Sequence, residues 1–270
     1  MQHRARKDRM LKKVLWFSIL FLIAAALSIF WLKDVTAYLF LSIPWLLALS
    51  MFLGLLTGTL KVKFKSTSRS VPAGWVKRHT LGSFLEHWGT VFGLLLLILS
   101  GFLLRVMHTL FQTNFHFLGL FITLFFGCYF LADFFLSKKF KNLLPSLTDI
   151  IDGTVKKYLF RAKWSDSGKY ISSQKSAFLA FTTLGIGITI TGIIKLAGIL
   201  WRIPIELIKI STSVHDIAAV LFVLMVFVHV VLVLSASVHR RLLRSWFTGI
   251  IPEESHQIAP SVEDKPETKL

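Results

Sequence analysis

The chain of 270 residues holds a single cysteine, Cys128, only seven prolines and four tyrosines, and just 17% charged residues. One cysteine excludes a disulfide framework, a Cys-ligated iron–sulfur cluster and the C-x-x-C-H attachment of a covalent haem. Any metal or cofactor must therefore be held by other side chains. Acidic residues are also scarce, with 14 Asp and Glu against 31 Lys and Arg and a formal charge of +17. With 54% hydrophobic residues, the chain is too apolar to be disordered and has too little polar surface for a soluble domain of this length. In such a chain the basic excess points to membrane topology rather than nucleic acid, because cytoplasmic loops collect Lys and Arg beside anionic headgroups. No acid–base pair or activated nucleophile stands out, so a stand-alone enzyme is not expected.

What the chain does have is apolar length. A spanning helix takes about 20 apolar residues, and six runs qualify, at 14–32, 37–60, 81–104, 116–136, 177–200 and 214–234. The first contains Ala24, Ala25 and Ala26, as a cleavable signal would, but it continues through Ile29, Phe30 and Trp31 and is expected to remain as an anchor. Most basic residues precede the first run, separate the second from the third and the fourth from the fifth, or follow the sixth. Only Lys33, Arg105, Lys195, Arg202 and Lys209 fall elsewhere. This asymmetry predicts six spans in a bacterial inner membrane with both termini cytoplasmic. The segment between the fourth and fifth runs can hold a short amphipathic piece near 147–160, with Gly168 as a breaker, and residues 255–270 have a disordered composition. The expected fold class is an all-α integral membrane bundle.

Among nine histidines, His3, His79, His239 and His256 fall in loops or tails and read as solvated. His87, His108, His116, His215 and His229 lie in or beside apolar runs, where an ionisable side chain is costly and faces a partner or a cavity. His215 and His229 are fourteen residues apart, which places them on nearly one helical stripe about 21 Å apart. One helix can thus give one ligand to each of two stacked metal centres. The charge asymmetry then sets His229 level with His87 on the cytoplasmic side, and His215 level with His116 on the outer side. Two bis-histidine pairs suit haem, whose flat ring needs the close backbone approach that Ser100, Gly101, Gly119, Gly127, Gly185, Gly187 and Gly192 allow. A zinc site would need three or four clustered ligands. The competing reading is a transporter or scaffold in which the glycines only pack helices and the histidines bond neighbouring carbonyls.

Several motifs carry a resemblance. Glu86-His87-Trp88 opens a run that ends Leu99-Ser100-Gly101, and His116 follows with Gly119. Gly168-Lys169-Tyr170, Gln174-Lys175, Thr191-Gly192, His215 and His229 come next, then Ser245-Trp246-Phe247-Thr248-Gly249. Together they resemble the di-haem cytochrome b (gamma) subunit of membrane-bound formate dehydrogenases, and the related cytochrome b subunits of nickel–iron hydrogenases and thiosulfate reductases. The likeness covers roughly 77–254, making 1–76 an N-terminal extension with two spans, 77–254 a four-helix di-haem domain and 255–270 a cytoplasmic tail. It implies two haem b groups, the inner one held by His87 and His229 and the outer one by His116 and His215. It also implies menaquinone bound near the cytoplasmic face beside Tyr170, Ser173, Gln174 and His229. The loop reads Tyr170-Ile171-Ser172-Ser173-Gln174-Lys175 where the family reads Tyr-Asn-Ala-Gly-Gln-Lys, and His108 remains an alternative outer ligand.

The function implied is electron transfer through the bilayer between quinone and the iron–sulfur and catalytic subunits of an oxidoreductase docked outside, with no nucleic acid involved. Lys195 or Arg105 could pair with propionates of the outer haem or reach for headgroups. Asp133 is expected to pair with Lys138 or Lys139, and Asp216 could bond a ligand imidazole only if geometry allows.

Overall fold

A computed structural model of the protein describes residues 36–64, 72–106, 110–162, 170–235, 243 and 245–252. The first apolar run, His108, Gly168 and the tail 255–270 lie outside the described residues. In chain order the elements are α1 (Thr36–Lys63), β1 (Trp75–Lys77), α2 (Leu81–Val106), α3 (Leu110–Leu136), α4 (Phe140–Leu143), α5 (Leu147–Ile150), a π turn (Ile151–Lys156), α6 (Lys157–Leu159), α7 (Ser172–Leu200), α8 (Ile205–Ser235) and β2 (Ile250–Pro252). Five described helices, α1, α2, α3, α7 and α8, are long and apolar enough to cross a membrane. They coincide with the second to sixth apolar runs. The chain divides into two compact units, one built of α1, α2 and α3 and the other of the remaining elements.

In the first unit, small residues let helix backbones touch, as helices packed in lipid require. The Ser50 hydroxyl, 1% exposed, donates to the Phe121 carbonyl at 2.7 Å. A methyl group on Gly54 would run into the Phe125 carbonyl, and one on Gly58 would lie 2.5 Å from that of Tyr129. On the other side of α3, a methyl on Gly93 of α2 would lie 2.5 Å from the Thr123 hydroxyl. Phe121, Phe125 and Cys128 on α3 and Ile43 on α1 are buried.

Where α1 ends and α2 begins, charge is taken into the unit in paired form. Lys61 Nζ lies 3.1 Å from Glu86 and 2.5 Å from Asp133, and Lys139 reaches the same Asp133 oxygen at 2.5 Å. Ser137 donates to the other Asp133 oxygen at 2.8 Å. Of the two lysines expected beside Asp133, Lys139 is the partner, while Lys138 turns the chain at the end of α3 with φ 54°. Lys61 is an additional partner, supplied by a helix remote in sequence.

In the second unit, α7 and α8 form a hairpin. A methyl on Gly198 would lie 2.6 Å from the Ile208 side chain, and Ser211 donates to the Thr191 carbonyl at 3.0 Å. Strand β1 pairs antiparallel with β2, Val76 opposite Ile251. The amides of Arg78 and His79 donate to the Gly249 carbonyl at 2.9 and 3.1 Å. Gly249 adopts φ +77°, and a Cβ there would lie 3.1 Å from the His79 carbonyl, so glycine is required. His79, expected to be solvated, instead stacks on Trp246 at 3.8 Å between ring centroids. The strand pairing brings it there, and the sequence gives no sign of a partner 167 positions away.

Candidate functional site

His116 projects from α3 towards α2, where the Ser100 hydroxyl lies 3.0 Å from its Nδ1. The hydroxyl donates to the Leu96 carbonyl at 2.5 Å. Its proton is thus committed to the backbone of its own helix, and the oxygen faces the imidazole as an acceptor. Nδ1 therefore carries the ring proton and Nε2 keeps its lone pair. The next residue, Gly101, gives the ring room: a Cβ there would approach His116 Cε1 at 3.7 Å.

His215 repeats this arrangement in the second unit with different residues. The Thr191 hydroxyl on α7 donates to the Gly187 carbonyl at 2.8 Å and lies 3.0 Å from His215 Nδ1. The Ile188 carbonyl lies 3.1 Å from the same nitrogen. A carbonyl can only accept, so the proton again sits on Nδ1 and Nε2 is left with its lone pair. Gly192 follows Thr191, and a Cβ on it would lie 3.4 Å from the His215 ring. A neutral imidazole whose Nδ1–H is tied to an oxygen is the usual form of a metal-ligating histidine.

His87 and His229 have aromatic surroundings. His229 meets Phe181 of α7 edge-on at 5.6 Å, and Phe181 in turn meets Phe222 at 5.3 Å. His87 lies edge-on to Trp88 at 5.3 Å. His215 and His229 are fourteen residues apart on α8, or about 21 Å. In the first unit, His116 abuts Ser100, which lies thirteen residues along α2 from His87, or about 20 Å. Each unit thus carries two histidines at the same axial separation.

Of the residues expected near quinone, Tyr170, Ser173 and Gln174 lie at the start of α7, while His229 is on α8. The Ile171 amide donates to Gln174 Oε1 at 3.3 Å, closing the first turn, and the Tyr158 hydroxyl donates to Ser173 Oγ at 3.2 Å. Tyr170 lies near Arg78, whose guanidinium is pulled below its ordinary pKa by burial, with Tyr170 acting the other way. Phe181, against which His229 rests, is seven residues beyond Gln174, or about 10 Å along the helix.

Sequence reasoning did not find Asp149. Burial would raise its pKa, but hydrogen bonds from the Ser146 amide, the Ser172 and Ser146 hydroxyls and Lys175 outweigh that and hold the carboxyl well below the usual range. The available signal was Ser146 three residues before Asp149, a capping box. The hydroxyls of Ser100 and Thr191 were legible only as small residues, because the register of neighbouring helices decides what they touch.

The profile of the prokaryotic cytochrome b561 family matches residues 78–249. That span contains all four histidines and both hydroxyl–glycine pairs. No curated protein matches the chain.

Proposed function

The chain belongs to the prokaryotic cytochrome b561 family, so it is a membrane b-type cytochrome, and from that premise we propose that it carries electrons across the bilayer through two haem b groups. The observation that carries the reading is the pair of matched seats in which His116 and His215 each set Nδ1 against a hydroxyl of a neighbouring helix that donates its own proton to that helix's backbone. His116 and His215 hold one haem, and His87 and His229 hold the other.

The residues present fit the group. Two neutral imidazoles are a donor set that suits a b haem, and Gly101 and Gly192 put no side chain against either ring. When bound, haem supplies a reversible one-electron couple. The chain's own tasks are to hold the imidazoles in one tautomer, to exclude water from them and to set their basicity through the Nδ1–H bonds. Ser100, Thr191 and the Ile188 carbonyl perform the last of these.

Electrons enter from an iron–sulfur subunit of an oxidoreductase on the outer face, as in the formate dehydrogenase, hydrogenase or sulfur-oxyanion reductase assemblies that the sequence resembles. Menaquinone accepts two electrons and two protons near the cytoplasmic face, beside Tyr170, Ser173, Gln174 and His229. Because electrons cross from outside while protons come from the cytoplasm, the transfer charges the membrane, at about 2.3 kcal/mol per charge per 100 mV.

Purified protein tests the reading directly. A dithionite-reduced spectrum is expected to show b-type bands, with two haems per chain by pyridine haemochrome. Reduction of a menaquinone analogue through the inner haem is expected to disappear with His229→Ala. A colourless protein would overturn the cytochrome reading, and a single haem would overturn the two-centre assignment.

A further inference from the structure

The stretch from Leu144 to Phe160 in the second unit has two unlike sides. One side is fixed to the first turns of α7. Asp149 accepts from Ser172 at 2.7 Å and from Lys175 at 3.1 Å, the Thr154 and Ser176 hydroxyls meet at 2.9 Å, and Tyr158 donates to Ser173. On the other side, Leu147, Ile151, Val155 and Leu159 follow one another at intervals of four and are between 43% and 73% exposed. Leu144 and Phe160, at the two ends, are exposed as well.

The backbone keeps these side chains in a row. In an α-helix, residues four apart advance by about 40° at each step, so a four-residue repeat spirals off its face. The π turn over Ile151–Lys156 winds less per residue, with its i→i+5 hydrogen bonds, and offsets that advance. Basic residues accompany the row: Lys141, Lys156, Lys157 and Arg161 outnumber Asp149 and Asp152, even though Lys156 pairs with Asp152 at 2.6 Å.

Position identifies what covers the row. Helix α7 is 29 residues long, or about 43 Å, against an apolar membrane core of about 30 Å. Its first turns therefore lie at headgroup level, and the stretch bound to them lies there too. We infer that residues 144–160 form an in-plane segment whose Leu147–Ile151–Val155–Leu159 row enters the acyl boundary while Lys156, Lys157 and Arg161 face the phosphates of an anionic leaflet. Such segments hold to a surface by apolar burial together with attraction to anionic lipid. This binding is independent of the haem reading.

The test places a fluorophore on Ile151→Cys, Val155→Cys or Asp152→Cys in full-length protein carrying Cys128→Ser, reconstituted in vesicles with or without phosphatidylglycerol. Nitroxide lipids are expected to quench positions 151 and 155 at least threefold more than 152 in anionic vesicles. Each lysine near such a surface favours contact by roughly fivefold. Lys156→Glu with Lys157→Glu is therefore expected to lower quenching at 155 severalfold there and to leave it unchanged in zwitterionic vesicles. Equal access of an aqueous quencher to 151, 152 and 155 would overturn the inference. So would shielding of 151 and 155 from both quenchers, since that outcome marks a protein-covered face.

Discussion

In the first unit His116 meets Ser100, with Gly101 beside it; in the second His215 meets Thr191, with Gly192 beside it, and also the Ile188 carbonyl at 3.1 Å. The two seats use the same chemistry, since each hydroxyl donates to a carbonyl one turn back and offers its oxygen to Nδ1. They differ in how the tautomer is fixed. At His116 the described partner is a hydroxyl that gives its own proton to the Leu96 carbonyl. At His215 a backbone carbonyl, which has no proton to give, holds the ring whichever way the hydroxyl turns. Thr191 is also β-branched and stiff about χ1, whereas Ser100 is not. The second seat is therefore the better determined of the two.

Removing the rings is the strongest perturbation. His116→Ala and His215→Ala are each expected to lose half of the haem by pyridine haemochrome. If the two variants leave different haem contents, the pairing of these two histidines on one iron is wrong.

Removing the hydroxyls separates the seats. An Nδ1–H bond raises the basicity of the imidazole and favours the oxidised metal, so Ser100→Ala is expected to raise the midpoint potential of one haem. A neutral hydrogen bond is worth about 0.5–1.5 kcal/mol, or roughly 20–60 mV for one electron. Thr191→Val leaves the Ile188 carbonyl in place and is expected to move the potential by no more than about 20 mV. Redox titration of the two variants reads the difference directly. Equal shifts would mean that the carbonyl contributes nothing.

The glycines sharpen the comparison. A Cβ at Gly101 or Gly192 stays at ordinary contact distance, 3.7 or 3.4 Å, from its imidazole. Gly101→Ala and Gly192→Ala are therefore expected to leave each ring seated, so a fall in haem content would report a clash with the macrocycle itself. Haem per chain, measured beside thermal stability, distinguishes the two causes.

Acid is expected to have the smallest effect, read through Asp149 of the second unit. Asp149 has its pKa lowered on folding, so it stabilises the structure above the unfolded value near 3.9 and loses that contribution as pH falls below it. From pH 7 to 5 its attachment to Ser172 and Lys175 is expected to hold; below about pH 4 it weakens. Fluorescence from a label on Val155→Cys should follow that course.

The sequence made the spans legible because apolar length suffices to identify them, but it placed some ends late. The fourth run was expected from 116 and the sixth from 214, whereas α3 starts at Leu110 and α8 at Ile205. Backbone hydrogen bonding continues a helix through polar residues that an apolar criterion rejects. Glu206 and Lys209, for example, sit in the opening turns of α8 and pair at 3.1 Å. His116 and His215 are consequently held well inside their helices. The histidine spacing was legible because it lies within single helices. The oxygen opposite each Nδ1 was not, since it depends on the sliding register between two helices. The same holds for Lys61, which finds Glu86 and Asp133 across helix boundaries, and for His79 on Trp246.

Arg78 and Gly249, the first and last residues of the stretch shared with the family, are joined by a hydrogen bond of 2.9 Å. A stretch whose two ends meet is a closed cassette: material can be spliced on before or after it without stretching anything inside. A segment joined after Gly249 then meets no demand from the strand pair, whereas any exchange of the leading segment has to keep the α1 face that Ser50, Gly54 and Lys61 present to α3.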